Sequence, residues 1–406
     1  MKKVSVRVFH QIDPGGAVTG GIDTVIKGIA KWAADDIDIS MVGLSMDPVA
    51  RPVGQWSVVE VGDKRVHFFA VGVHNTPMHH TGVPLSVRLT FGILKYWRSV
   101  STGCDVLEFH RIEPAIPFLF DRRHKNVFVH QNMDALYNPN ADIGWKRLPW
   151  AFFALEALIL PRLQSIFGVR EDAIVSYKAR YPKISDRFRF IPTWMDPELF
   201  HPVGTNERVA VRAEIFAEFG LPPEVEMIVS VGRLDHQKNP LLAVEVLQRL
   251  VEVRPGSVLV WIGDGVLRPD IEQAILAKQL QKKVILAGLL KPHRIAQILQ
   301  ASDAYLMTSA YEGMPISVLE ALGTGLPVVS TSVGEVPRVI QNGLSGLVVE
   351  GHEPVALVAG LVEVLSRGQA SYESDCLAAV SPYVPDRVLG PLFSVYRSAT
   401  PSSESK

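Results

Sequence analysis

The sequence predicts two doubly wound α/β domains of similar size, and three observations predict it. Short apolar runs alternate with longer helix-like segments along the whole chain. Glycine-rich connections separate them, a strand–helix–strand repetition that indicates parallel sheets covered on both faces. The 406 residues, 47% of them apolar, are too many for one ordinary domain and ample for two cores. Ligands of open α/β sheets bind outside the carboxyl ends of the strands. Two such domains facing each other would make one deep cleft.

The first half supplies strand candidates at Val4–His10, Val66–Val71, Asp105–His110, Asn126–His130, Ser165–Val169 and Phe188–Ile191. The second half supplies Glu226–Gly232, Ser257–Gly263, Lys283–Ala287, Asp303–Thr308, Leu326–Ser330 and Gly346–Val349. Each is a short apolar run bounded by turn residues. Val209–Phe219 and Leu241–Val251 space Val, Leu and Phe as amphipathic helices do. The polar, proline-containing stretch His201–Asn206 reads as a linker, so the domains are expected at 1–200 and 201–383. Thr400–Lys406 reads as a disordered polar tail.

Composition excludes several classes. Lys plus Arg is 41 and Asp plus Glu is 42, a balance that gives no reason to expect a nucleic-acid partner. Cys104 and Cys376 fall in different halves, so no disulfide scaffold is expected and a reducing, cytoplasmic setting is the default. Met1–Val8 lacks the apolar core of a signal peptide and reads as a first strand. Leu148–Leu160 is interrupted by Glu156 and is too short to span a bilayer.

The chemistry concentrates in Glu312–Ser330, E-G-M-P-I-S-V-L-E-A-L-G-T-G-L-P-V-V-S. Gly313-Met314-Pro315 suits a turn into a helix, since proline is tolerated in the first helical turn. Helix formers follow from Ile316 to Leu322, and Gly323 and Gly325 stop the helix before a strand. Glu312 therefore lies at the helix entrance and Glu320 inside it. Free N–H groups at such an entrance attract phosphate. A carboxylate on either side can accept hydrogen bonds from sugar hydroxyls, a pattern shaped for a nucleotide sugar. Gly232-Arg233-Leu234-Asp235-His236-Gln237-Lys238 follows another strand. Its two cations can stabilise a departing diphosphate, although an isolated basic loop is usually only a solvated one. Ile262–Gly265 and Ala287–Leu289 are further strand-end turns that describe a rim for base and ribose, and Asp303 reads as structural.

In the first half, Pro14–Asp23 is a glycine-rich connection that includes Gly21. It fits neither G-x-G-x-x-G nor a Walker loop. Its glycines would let backbone approach donor phosphate or acceptor. His110 and His130 end successive strands, a position from which a histidine can bond a substrate hydroxyl. His79-His80 has no matching ligand cluster, and no metal motif is present, so no metal site is expected. Trp150, Phe152 and Phe153 lie on a helix that suits a core, and Lys178–Arg189 is a basic stretch that suits a solvated face. Together they also suit peripheral binding to anionic lipid, at the inner face of a membrane.

With these residues in view, the chain resembles retaining glycosyltransferases of family 4, which have the GT-B architecture. The resemblance rests on E-x7-E (Glu312, Glu320), the G-R-L…K loop (Gly232, Arg233, Leu234, Lys238) and Gly325, Pro327 and Val328 in the family's order. It implies a nucleotide-diphosphate sugar as co-substrate and no cofactor. By it, Glu320 would hold ribose, Arg233 and Lys238 the diphosphate, and Glu312 the transferred sugar. His130 matches the family's active-site histidine. A helix near Asp386–Arg397, within 384–399, would cross back to the N-terminal, acceptor-binding domain. Two segments depart from the family: Thr193-Trp194-Met195-Asp196 stands for Asn-Gly-Val-Asp, and Gly334-Glu335-Val336-Pro337-Arg338 for Gly-Gly-x-Pro-Glu. The implied activity is transfer of a hexose from a UDP- or GDP-sugar to a hydroxyl of a growing glycan or lipid-linked glycan, with retention. The rivals are a nucleotide-sugar epimerase on the same fold and a non-catalytic nucleotide-sugar-binding protein. A dinucleotide oxidoreductase stands further off.

Overall fold

The computed structural model describes residues 3–16, 21–74, 83–129 and 149–399. The chain divides into two compact units, Met1–Pro192 with Pro385–Lys406, and Thr193–Val384. Each is a Rossmann-like α/β domain, as the alternating runs predict.

The first unit contains β1 (Val4–Phe9), β2 (Ile37–Ser45), β3 (Trp56–Val61), β4 (Lys64–Val73), β5 (Val106–Phe109), β6 (His124–Val129), β7 (Ser165–Gly168) and β8 (Phe188–Phe190). They lie in the order β3-β4-β2-β1-β5-β6-β7-β8. Two strands correct the sequence reading. In β2, Asp38, Ser40 and Gly43 interrupt the apolar run and hide it. At the edge, β3 pairs antiparallel with β4 across a turn at Gly62, where φ is 58°, so this sheet is not purely parallel. Phe9, Phe109, Val127 and Ile166 share one core cluster with Leu89, Phe118, Ile159 and Tyr177. One sheet face is thereby covered by the helix Leu85–Lys95, the turn Glu113–Phe118, and the helices Pro149–Ile159 and Glu171–Arg180.

The first unit is completed from the far end of the sequence. The helices Pro385–Val388 and Gly390–Ser398 belong to it. The Tyr396 hydroxyl donates to the fully buried Glu108 carboxyl, and Arg397 Nε reaches Asp36 Oδ2 at 2.6 Å. Burial pushes the Glu108 carboxyl up to about 8, against the pull of the Tyr396 bond.

The second unit holds β9 (Glu226–Val231), β10 (Ser257–Ile262), β11 (Val284–Gly288), β12 (Ala304–Met307), β13 (Val328–Thr331) and β14 (Gly346–Val349). All are parallel, in the order β11-β10-β9-β12-β13-β14. The direction of winding therefore reverses between β9 and β12, a topological switch point where such sheets take ligands.

The unit boundary falls before Thr193 rather than after residue 200. The segment Thr193–Phe200 packs into the second unit, where Met195 N donates to Tyr383 O at 3.1 Å and Trp194 is buried. The expected linker is correspondingly short, since a helix already begins at Thr205.

Candidate functional site

Two loops leave the switch point side by side. The first, after β9, runs through Gly232 to Asn239. Asp235 Oδ1 accepts from Lys238 N at 3.0 Å, and Asn239 turns the chain with φ of 47°. The second, after β12, is stitched to it. Thr308 Oγ1 donates to the carbonyls of Lys238 and Asn239, at 3.1 Å each, and Ala310 N donates to Gln237 O at 2.8 Å. The stitching brings Lys238 Nζ to 2.6 Å from Glu312 Oε1. Ser309 Oγ donates to the same oxygen at 2.7 Å, and Gln237 Nε2 to the other at 3.3 Å. Both partners are largely shielded, with side-chain exposures of 17% and 6%. A pair so placed keeps a cation in the crevice without leaving a buried charge unmatched.

The Gly313-Met314-Pro315 turn is held from two sides. Gly313 O accepts from Glu335 N at 3.0 Å. Gly334, with φ of 55°, lies so close that a Cβ there would meet Gly313 O at 2.1 Å, so no other residue fits. From the opposite side Thr193 Oγ1 donates to Met314 O at 3.2 Å, and Thr193 N to Met314 Sδ at 3.3 Å. Thr193 on one side and the Gly334-Glu335 backbone on the other thus hold this turn. Pro315 then caps the helix Ile316–Gly323.

Inside that helix, Glu320 is pushed up to about 7. Burial disfavours its charge first and the nearby Asp196 carboxylate second, while Lys238 acts in the opposite direction. A carboxyl that titrates at neutrality is a common mark of a working site.

The structure brings Lys238, Glu312, Gly313, Met314, Pro315 and Glu320 together. Arg233 stands on the same loop but turns outward. It is 60% exposed and pairs with Asp235 Oδ2 at 3.2 Å. The turn at Ile262–Gly265 backs this loop. Trp261 Nε1 donates to Gly232 O at 2.8 Å, and a Cβ on Gly263 would meet the same oxygen at 2.0 Å. Gly21 opens the helix Gly21–Lys31 of the first unit. His130, His79 and His80 lie outside the described residues, as does 17–20 of the glycine-rich connection. His110 is buried, stacks on Phe128 at 4.6 Å and bonds Glu108 Oε1 at 3.1 Å. Burial pushes it down to about 3, so it stays neutral. Sequence reasoning missed Thr193, Asp196, Gln237 and Ser309. For Thr193 and Asp196 a signal existed, since both lie in the segment Thr193-Trp194-Met195-Asp196 that the sequence sets apart. Among the described residues no group of three or more His, Cys, Asp or Glu is placed to hold a metal ion.

Residues 211–374 match the family model described as Glycosyl transferases group 1, a span that includes Arg233, Lys238, Glu312 and Glu320. The chain is similar to a D-inositol 3-phosphate glycosyltransferase of Corynebacterium urealyticum, 25% identical over 385 residues, 91% of this chain and 87% of that protein. A UDP-Gal:alpha-D-GlcNAc-diphosphoundecaprenol alpha-1,3-galactosyltransferase of Escherichia coli is 32% identical over 177 residues, 43% of this chain and 44% of its own. Among solved structures, sucrose-phosphate synthase from Thermosynechococcus elongatus matches with a TM-score of 0.76 at 17% identity, covering 98% of this chain and 99% of that one. That likeness is one of fold, the two Rossmann-like domains of GT-B proteins. The second unit carries a glycosyl transferases group 1 domain over residues 211–374.

Proposed function

We propose that the chain is a retaining, metal-independent glycosyltransferase. It moves a hexose from a UDP- or GDP-sugar to a hydroxyl of a growing glycan or glycolipid. The observation that carries the reading is the meeting of Lys238, Glu312 and Glu320 at the switch point of β9 and β12, inside the matched domain. The Escherichia coli relative, whose name gives a UDP-sugar donor and a lipid diphosphate acceptor, supports it.

Each group has a role in this reading. The entrance of the helix Ile316–Gly323, Lys238 and Arg233 neutralise the diphosphate. Arg233 exchanges Asp235 for phosphate, and Lys238 exchanges part of its bond with Glu312. The Glu312 carboxylate is then released toward the sugar. Glu320 accepts from ribose. Retention proceeds by front-face attack: the acceptor oxygen bonds the anomeric carbon on the side from which the diphosphate leaves. The departing phosphate oxygen takes the acceptor proton.

A released-nucleotide assay, run with EDTA and with or without glycan acceptors, tests the whole reading. Release should depend on acceptor and survive chelation. Activity that vanishes with EDTA and returns with magnesium would overturn metal independence. Conversion of the donor without any acceptor would favour an epimerase.

His130 is the proposed active-site histidine. His130→Ala should lower kcat by roughly a hundredfold, the usual scale for a group that aids proton transfer or polarises substrate. Free nucleoside diphosphate should bind as before. Unchanged turnover would remove His130 from the site.

A further inference from the structure

Strand β9 parts from one neighbour before the other. It pairs with β10 as far as Val231, opposite Ile262, but its last pair with β12 is Val229 with Tyr305. Beyond that pair β9 and β12 splay, and the crevice of the switch point opens between them. Two side-chain hydroxyls take over where the ladder stops. Ser230 Oγ donates to Leu306 O at 2.7 Å. Tyr305 Oη lies 3.3 Å from Val231 O, the last carbonyl of β9.

The Tyr305 hydroxyl has a second partner. Ser317 Oγ is 2.8 Å away, in the first turn of the helix Ile316–Gly323. A carbonyl only accepts, whereas a serine hydroxyl donates as well as accepts, so one phenol can bond both at once. Tyr305 is fully buried. Burial pushes its phenol up, and the Glu320 and Glu312 carboxylates act in the same direction, so the hydroxyl keeps its proton. Packing does not ask for that hydroxyl, since a Phe would fill nearly the same space and join the same ladder. Tyr305 is in register with Val229 and Trp261 with Ser230, so the two rings approach β9 from opposite faces. Trp261 Nε1 donates to Gly232 O, so the consecutive carbonyls of Val231 and Gly232 are each held by an aromatic donor.

We propose that Tyr305 is a positioning residue for the nucleoside diphosphate. Its hydroxyl fixes the spacing between the root of the Gly232–Asn239 loop, which carries Arg233 and Lys238, and the helix turn that leads to Glu320. The proposal rests on the transferase reading, in which those two elements grip one ligand from two sides. Held at a set distance, the cation and the helix entrance are in place before the ligand arrives, and binding does not have to order them. Without the hydroxyl the sheet still forms, but the loop root and the helix turn are no longer tied across the crevice.

The test is calorimetric titration of UDP and of GDP into the parent chain, Tyr305→Phe, Lys238→Met and the double variant. Tyr305→Phe should weaken binding of the diphosphate by roughly three- to tenfold, the scale of one or two hydrogen bonds. In the Lys238→Met background the same change should cost less than about twofold, because the hydroxyl acts by placing a cation that is no longer there. A hydroxyl that only stabilised the fold would give equal factors in both backgrounds. Ser317→Ala removes the same bridge from the helix side and should reproduce the loss. Equal factors with and without Lys238, or a Tyr305→Phe or Ser317→Ala variant that binds like the parent, would overturn the proposal and leave the transferase reading standing. A parent chain that binds neither UDP nor GDP would overturn both.

Discussion

Lys238→Met should lower kcat/KM by about a hundredfold or more, the scale seen when one preorganised donor to a developing negative charge is removed. Lys238 is tied to Glu312 in a shielded crevice, whereas Arg233 is 60% exposed and paired with Asp235, so it replaces Lys238 only in part. Loss of Lys238 should also weaken binding of free nucleoside diphosphate, because both phosphates remain in the product. Glu312→Gln should behave differently. It touches the sugar in the proposed reading, so it should lower kcat by at least about tenfold and leave nucleoside diphosphate affinity nearly unchanged. Steady-state kinetics with calorimetric titration of the diphosphate separates the two variants. If Glu312→Gln loses nucleotide affinity and keeps its turnover, the assigned roles are reversed. Either change breaks a shielded pair and can cost several kcal/mol, on the order of 3–5, so assays belong well below each variant's Tm.

Nucleotide binding near neutral pH should release a proton from Glu320. The free carboxyl titrates at about 7, and ribose hydroxyls donate to its charged form. Affinity for the diphosphate should therefore rise between about pH 6 and pH 8, and Glu320→Gln should abolish the slope while weakening binding at least about tenfold. Calorimetry in buffers of different ionisation enthalpy measures the released proton directly. No proton release in the parent chain would sink this. The same shift bears on stability with a definite sign. A carboxyl raised from 4.5 to about 7 stabilises the fold fully below 4.5, and the contribution is lost as pH rises through 7. Relative to the parent, Glu320→Gln should gain up to about 3 kcal/mol across that window.

Much of the fold is legible in the chain because buried parallel strands are nearly continuous apolar runs. Glu226–Val231 and Gly346–Val349 show themselves this way. Strand β2 does not, since Ser40 and Gly43 break its run, and only pairing with β1 and β4 makes it a strand. For the site, Glu312, Glu320 and Lys238 stand out by spacing. Their relations do not. Lys238 and Glu312 are 74 residues apart, and their contact depends on Thr308 and Ala310 stitching two loops. Nor can spacing reveal a carboxyl shifted to neutrality, which arises from burial and from Asp196, far away in sequence. Arg233 reads as a twin of Lys238, yet its side chain is paired with Asp235 and faces solvent.

The way the last helices complete the first unit sets an order of events during synthesis. The second unit is one continuous stretch, Thr193–Val384, and has every residue of its core once that stretch has left the ribosome. The first unit begins to emerge earlier but is not whole until 385–399 has been made. Until Tyr396 arrives, the Glu108 carboxyl lacks its hydroxyl partner, and the surface that Leu392 and Phe393 bury stands open. Domains usually mature from the amino terminus onward. Here the first unit waits for the second to finish, so a newly made chain should pass through a stage in which the second unit can be folded while the first still needs protection from aggregation.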